Sequence, residues 1–199
     1  MAIIVDKTQK KRDIALACKD LIIKGGMQEP TISKIAQTAG IGKGTFYEYF
    51  KSKDELLFEL VSILMREHNI KIEKQLENAE NTKEKIKIFS GFFYDKESAD
   101  LRVLYKMFTG ISLLHSHKEM MVFQTECFDA YYLWFEKLIE EGVENNEIAP
   151  EATKMAKGIF ATAKGMFIAS ETTHSIVDLK EELNKYINTL FELLSVKGQ

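Results

Sequence analysis

The sequence predicts an all-α protein: a small N-terminal helix-turn-helix module followed by a larger helical body, about nine helices in total. Three observations predict it. Only two prolines and eleven glycines interrupt 199 residues, and the Leu, Ile, Lys and Glu content favours helices. Apolar residues recur at intervals of three and four along most of the chain. Residues 31–53, TISKIAQTAGIGKGTFYEYFKSK, hold two short helical patterns around an Ala-Gly-Ile-Gly turn, with a lysine–aromatic cluster immediately after it.

The elements follow in order. Residues 8–24 read as the first helix, with Thr8 as cap, Ile14, Ala17, Leu21 and Ile22 as buried face, and Gly25-Gly26 as stop. Lys10, Lys11 and Arg12 near its start suit either phosphate contact or a solvated charge run. Glu29-Pro30 turns the chain into the helix-turn-helix. Thr31 caps the second helix, whose narrow apolar face is Ile32, Ile35 and Ala36. Gly40 can take the left-handed conformation that ends it, and Ile41 plugs the corner. The next helix spans about Lys43 to Tyr49. Phe46 and Phe50, four apart, point inward, which leaves Lys43, Gly44, Thr45, Tyr47 and Tyr49 on or near the surface. A cation, a backbone-exposing glycine, a hydroxyl and phenols on one short helix suit the major groove and its flanking phosphates. Ser52-Lys53-Asp54-Glu55 is a capping box that starts a further helix.

These residues strongly resemble the tetracycline-repressor (TetR/AcrR) family of bacterial transcription regulators. The matching string is Ile35-Ala36, Ala39-Gly40-Ile41, Lys43-Gly44-Thr45-Phe46-Tyr47, Tyr49-Phe50 and Lys51 to Leu56. The resemblance is specific over roughly residues 8–60. One departure is Gly42, where many members carry a serine; glycine caps only a few tenths of a kcal/mol less well. The resemblance implies that Lys43, Gly44, Thr45 and Tyr47 approach bases and nearby phosphates. Thr31, Ser33, Tyr49 and Lys53 are then assigned to backbone contacts. It also implies a palindromic double-stranded DNA operator, a small-molecule effector and a homodimer through the last two helices. Domain boundaries are expected at 1–51 for the DNA-binding head and 52–199 for the effector-binding and dimerisation body.

Charge is divided in the same way. Residues 1–54 hold ten Lys/Arg against six Asp/Glu, so a head of +4 precedes a body of −7 in a chain of net charge −3. A basic head on an acidic body is the footprint of a DNA-binding module joined to a regulatory one. No run of 18 apolar residues is present, so no membrane partner is expected, and the chain reads as cytoplasmic. Cys18 and Cys127 read as free thiols.

Beyond the head, a helix of ~25 residues from Lys53 to about Asn78 would span roughly 38 Å, with Leu56, Leu57, Leu60, Val61, Leu64 and His68 as its stripe. In the family this helix links effector pocket and head. Thr82 starts a helix with Ile86, Phe89, Phe92 and Phe93. Residues 97–115 form one helix, or two with a break near Gly110. Residues 118–145 carry Met121, Phe128, Tyr131, Phe135 and Leu138 at helical spacing. Asn145-Asn146 and Pro150 mark a turn. Residues 151–172 show small residues (Ala152, Ala156, Ala163, Gly165) among Met155, Ile159, Phe160 and Phe167. The last helix, about 178–196, is lined by Leu179, Leu183, Tyr186, Ile187, Leu190 and Leu194.

About two-thirds of the dense aromatic and methionine content must be plain core. The rest could line an apolar effector cavity with a few polar handles. The candidates are Phe89, Phe93, Tyr105, Phe108, Phe128, Tyr131, Tyr132, Phe135 and Phe167, which favour a hydrophobic or aromatic effector. Glu126, Asp129 or Glu171 facing that cavity would favour a cation instead. His115-Ser116-His117 reads as a surface turn rather than a metal site, because a spacing of two suits a helix face badly. No Ser-His-Asp order, phosphate-cradling loop or H-E-x-x-H occurs, so neither an enzyme, a metal nor a cofactor is expected.

The reading is a ligand-responsive DNA-binding transcriptional regulator, a repressor by the family's commonest habit. The alternatives are a helical small-molecule-binding protein or enzyme without operator recognition, and an activator of the same fold.

Overall fold

A computed structural model describes residues 6–26, 30–115 and 117–195, with the side chain of His115 outside the described set. Every regular element among them is helical. The order is α1 (Lys7–Ala17), α2 (Lys19–Gly25), α3 (Ile32–Thr38), α4 (Lys43–Tyr49), α5 (Lys53–Glu77), α6 (Thr82–Ser90), α7 (Ala99–His115), α8 (Lys118–Glu144), α9 (Glu151–Thr172) and α10 (Leu179–Leu193). Two 3₁₀ turns, Gly91–Phe93 and Lys96–Ser98, lie between α6 and α7.

The expected first helix is two pieces. Its cap is Asp6 rather than Thr8, because the Asp6 carboxylate accepts from the N–H groups of Thr8 and Gln9. Near Cys18, at φ −90° and ψ −2°, the ladder breaks and restarts. Counting α1 and α2 as one interrupted helix gives the nine expected. On the inward face Ala15 and Cys18 are buried where Ala17 was expected, because Ile14, Cys18 and Ile22 follow one another at intervals of four. Two further findings concern long helices, the first choosing between the alternatives left open for residues 97–115 and the second a correction. Gly110 causes no break in α7, since a glycine inside a helix costs only about 1 kcal/mol against alanine. In α8 it is Met120, fully buried, that faces inward, while Met121 is 55% exposed.

The chain divides into two compact units. The first is Met1–Asn69 with Val103–His117, and the second is Ile70–Arg102 with Lys118–Gln199. The first part of α5 belongs with the head because Leu56, Leu57 and Leu60 are fully buried, and Phe58 packs its ring 5.9 Å from that of Phe108.

In the first unit the core is Ile14, Ala15, Cys18, Ile22, Ile35, Ala36, Phe46, Phe50 and the α5 leucines. Full burial of each large side chain contributes about 1.5–3 kcal/mol. Lys11 crosses from α1 to donate to Glu55 at 3.0 Å, and Arg12 reaches Glu67 at 2.8 Å. These two cations bind α1 to α5.

In the second unit α6, α8, α9 and α10 surround one apolar cluster of Ile86, Phe135, Ile139, Ile148, Ala152, Ala156, Ile159, Phe160, Ile187 and Leu190. Ala152 and Ala156 are fully buried in it, so those small residues serve packing within the chain. A smaller cluster of Ile72, Leu76 and Leu138 gathers Ile88, Phe89 and Trp134.

Candidate functional site

The head is built by one turn. Ala39 closes α3, Gly40 takes φ +66°, and the next two amides fold back: Gly40 N–H donates to Gln37 at 3.2 Å and Ile41 N–H to Ala36 at 2.9 Å. That pair of bonds is a Schellman motif, which needs a left-handed residue between helix and exit. Thr31 caps α3 through its hydroxyl, which accepts from Lys34 N–H. Phe46 and Phe50 are buried and stacked with ring centres 5.5 Å apart, fixing which side of α4 faces inward.

The outward side follows from that. Lys43 and Gly44 are exposed, Tyr47 is 51% exposed with its ring edge-on to Phe46, and Thr45 and Tyr49 are half-buried. A Cβ added at Gly44 would meet nothing within 4 Å, so the backbone there is open to an approaching surface. Thr31 and Ser33 are exposed at the start of α3. Lys53 is half-buried in the first turn of α5. All eight sequence-assigned DNA contacts thus belong to the first unit, on α3 and its cap Thr31, on α4, and in the first turn of α5.

Gly42 caps α4 with no side-chain bond, as its lack of a side chain requires. The capping box at α5 differs from the simple form. Ser52 Oγ accepts from Glu55 N–H at 3.2 Å, but Glu55 Oε2 accepts from Lys51 N–H at 2.7 Å, one residue further back than a box places it. Partial burial alone would push the Glu55 carboxyl up. The bond from Lys51 N–H and the bond and charge of Lys11 outweigh burial and hold the carboxyl below its ordinary value.

The nine aromatic effector candidates do not share one cluster. Tyr105 and Phe108 belong to the first unit and the other seven to the second. In the second unit Phe89 sits 5.4–6.4 Å, ring to ring, from Trp134, Phe135, Tyr131 and Phe160. Phe160 in turn meets Phe128 at 5.2 Å, Phe135 at 5.6 Å and Tyr132 at 6.0 Å. Phe93 and Phe167, both buried, lie 5.4 Å apart ring to ring, and Phe93 also meets Phe92 edge-to-face at 5.1 Å. Tyr132 donates its hydroxyl to Glu136, and burial pushes the Tyr131 hydroxyl well above its ordinary titration range.

Sequence reasoning missed two members. Phe160 is the hub of this aromatic set. Lys164 lies one turn beyond it on α9 with its ammonium 4.4 Å from the centre of the Phe128 ring and 5.3 Å from that of Phe160. The available signal was spacing: Phe160, Lys164 and Phe167 fall at intervals of four and three on one face of α9. Burial brings the Lys164 ammonium down to about 8, partly opposed by the Cys127 thiol. Burial likewise pushes the Cys127 thiol up to about 11, as it does Cys18, which makes both poor nucleophiles. Glu126, Asp129 and Glu171, which would favour a cation if turned inward, are all exposed.

A separate open groove in the second unit, about 770 Å³, is bordered by Lys74, Lys87 and Lys180 with Glu84, Tyr94 and Asp95; none of the nine candidates lines it. The metal reading at 115–117 falls on Ser116 and the His115 side chain, which lie outside the described residues. His117 Nε2 sits 3.5 Å from Asp54. Among the described residues no three His, Cys, Asp or Glu side chains are grouped for a metal, and no helix is long and apolar enough to cross a membrane.

This geometry agrees with comparison to known proteins. Residues 14–60 match the family model for bacterial regulatory proteins, tetR family. The fatty acid metabolism regulator protein of Bacillus subtilis is 26% identical over 190 residues, covering 94% of this chain and 95% of that one. A TetR-family transcriptional regulator from Cytophaga hutchinsonii superimposes with TM-score 0.79 at 14% identity, covering 98% of this chain and all of that one. The fatty acid degradation regulator FadR from Bacillus halodurans has TM-score 0.68 at 25% identity, covering 88% and 96%. With a helix-turn-helix of this build and a body of this fold, the chain belongs to the TetR/AcrR family of DNA-binding transcriptional regulators.

Proposed function

We propose that the protein is a homodimeric, effector-released repressor without catalytic activity. The observation that carries the reading is the face of α4, where buried Phe46 and Phe50 force Lys43, Gly44 and Tyr47 outward. Two copies of that face would enter successive major grooves of a palindromic operator about 34 Å apart. Lysine can donate to guanine O6 and N7, and the Thr45 methyl can meet a thymine methyl. Thr31, Ser33, Tyr49 and Lys53 would hold phosphates and set the register.

Dimerisation through α9 and α10 is supported by what the core leaves outside. Gly158, Ala161 and Gly165 are exposed along one side of α9, where a second helix can approach closely. Met155 is 45% and Leu193 78% exposed. The effector is a small, largely hydrophobic molecule held in the aromatic body, and relatives named for fatty acid metabolism and degradation support an acyl chain. It would favour a conformer, transmitted along α5, in which the heads lose operator spacing. A coupling of about 1–3 kcal/mol suffices for a 5–150-fold loss of affinity.

The test uses DNA flanking the protein's own gene against a scrambled duplex at physiological salt. Lys43→Ala with Tyr47→Ala is expected to abolish the preference while leaving the melting temperature nearly unchanged. Equal wild-type affinity for both duplexes would refute operator recognition.

A further inference from the structure

The ridge of α4 farthest from the core of the head carries a carboxylate. Phe46 and Phe50 are both buried, and Glu48 stands two residues from each. At about 100° per residue it lies directly opposite their inward axis. Gly44, one turn earlier, shares that outermost ridge, and both residues are exposed. A helical side chain leans toward the N-terminus and covers the turn before its own Cα. For Glu48 that turn is at Gly44, where an added Cβ would meet nothing within 4 Å. The carboxylate therefore has room to reach whatever surface the Gly44 backbone meets. The helix is seven residues long, about 10 Å at 1.5 Å per residue, so the whole ridge fits a major groove about 12 Å wide.

Glu48 is also unpaired: its side chain forms no hydrogen bond or ion pair among the described residues. Every other described carboxylate of the first unit has a partner. Asp6 and Glu55 accept from backbone amides, Asp13 accepts from Gln9, and the rest face Lys11, Arg12, Lys24 or His117. On a surface that meets phosphates, a carboxylate without a donor is repelled. Base edges in the major groove offer two donors, the N4 amino group of cytosine and the N6 amino group of adenine. The adenine N6 group lies beside the N7 acceptor, which opposes a carboxylate; cytosine N4 has no such neighbour.

We propose that Glu48 reads a cytosine in each operator half-site, its carboxylate accepting from the N4 amino group. This rests on operator recognition by α4 as proposed above, and adds a specificity-determining contact to those of Lys43, Thr45 and Tyr47. The two charges of the ridge act in opposite senses. Lys43 attracts any duplex through its phosphates, whereas Glu48 penalises every duplex that brings it no donor, so the acid contributes discrimination rather than affinity.

The experiment is selection of bound duplexes from a randomised library by the full chain at physiological salt, for wild type, Glu48→Ala and Glu48→Gln. Affinities for the selected duplex and its single-base variants follow. Wild type is expected to select a cytosine in each half-site and to bind it about tenfold more tightly than thymine at that position. Glu48→Ala should lose this preference, keep the others and bind unrelated duplexes more tightly, because the repulsion is gone. Glu48→Gln should move the preference to adenine, since an amide both donates to N7 and accepts from N6. If Glu48→Ala keeps every base preference of wild type, with or without a uniform gain in affinity, the cytosine contact is overturned while operator recognition stands. If wild type enriches no sequence, operator recognition fails and the Glu48 contact falls with it. Thermal melting shows whether each variant is folded, and the nearly isosteric Glu48→Gln carries the test if Glu48→Ala is not.

Discussion

Two glycines four residues apart should respond oppositely to the same added methyl. Gly40 lies at φ +66°, and a Cβ built there meets nothing within 4 Å. Alanine at that position therefore suffers no clash, only the left-handed backbone, which costs an L-residue roughly 1–2 kcal/mol. Lower chain entropy in the unfolded state returns about 0.4–1 kcal/mol. The net for Gly40→Ala is a loss of roughly 1 kcal/mol. Gly44 is in the first turn of α4, and its Cβ also meets nothing. There alanine suits the helix and should gain up to about 0.5–1 kcal/mol. The gap between the variants is thus roughly 1–2.5 kcal/mol, at about 2–4 °C per kcal/mol for a chain of this size. Thermal and urea unfolding of both variants measures it. A second readout separates fold from function. Gly44→Ala, though more stable, places a methyl on the DNA-facing side and should weaken operator binding, whereas Gly40→Ala should act through the turn. If Gly40→Ala were as stable as wild type, the Schellman geometry would be wrong. If Gly44→Ala kept full operator affinity, close backbone approach at α4 would be refuted.

Other expectations follow from single contacts. Gly42→Ser should gain a few tenths of a kcal/mol in urea unfolding, because the new hydroxyl can accept from Thr45 N–H and its Cβ meets Thr45 only at 3.7 Å. Glu55 is held below its ordinary value, so the stability it adds is present above that value, near pH 4.3, and is lost as pH falls through the lower folded one. Glu55→Gln should therefore be less stable than wild type at pH 7, with the difference shrinking on acidification in pH-dependent urea unfolding. Thr82 is buried with its hydroxyl unpartnered. Thr82→Val should then raise the unfolding midpoint, since an unsatisfied buried group costs about 1–3 kcal/mol. Gly142→Ala should lower the midpoint, because its Cβ would fall 2.7 Å from Thr82 Cγ2.

The head was legible because its signals are local. Thr31, Gly40, Phe46 and Ser52 each act within a turn or two of chain, so spacing alone fixes cap, corner and buried face. Where the reading slipped, the error was equally local: Asp6 starts the helix two residues before Thr8 by accepting from the Thr8 and Gln9 amides, and Cys18 broke a ladder that periodicity ran straight through. Gly110 shows the reverse, a glycine that packing carries inside a helix.

The body was legible as helices and not as a site. Periodicity identifies which aromatics turn inward, but not which of them meet, because that depends on how four helices from distant stretches of chain are brought together. So Phe89, Phe128 and Phe135 were correctly marked as inward-facing, while the ring that joins them, Phe160, was missed. Phe160 is Lys164's own helical neighbour, but only tertiary packing put the Phe128 face of α8 under the Lys164 ammonium, and a lysine on a helix reads in sequence as solvated. By itself the sequence determined the DNA-reading module, since its caps, turn and core lie within about twenty residues. Tertiary structure alone decided which charge the body holds among its rings, because burial of an ionisable group is set by neighbours far away in the chain.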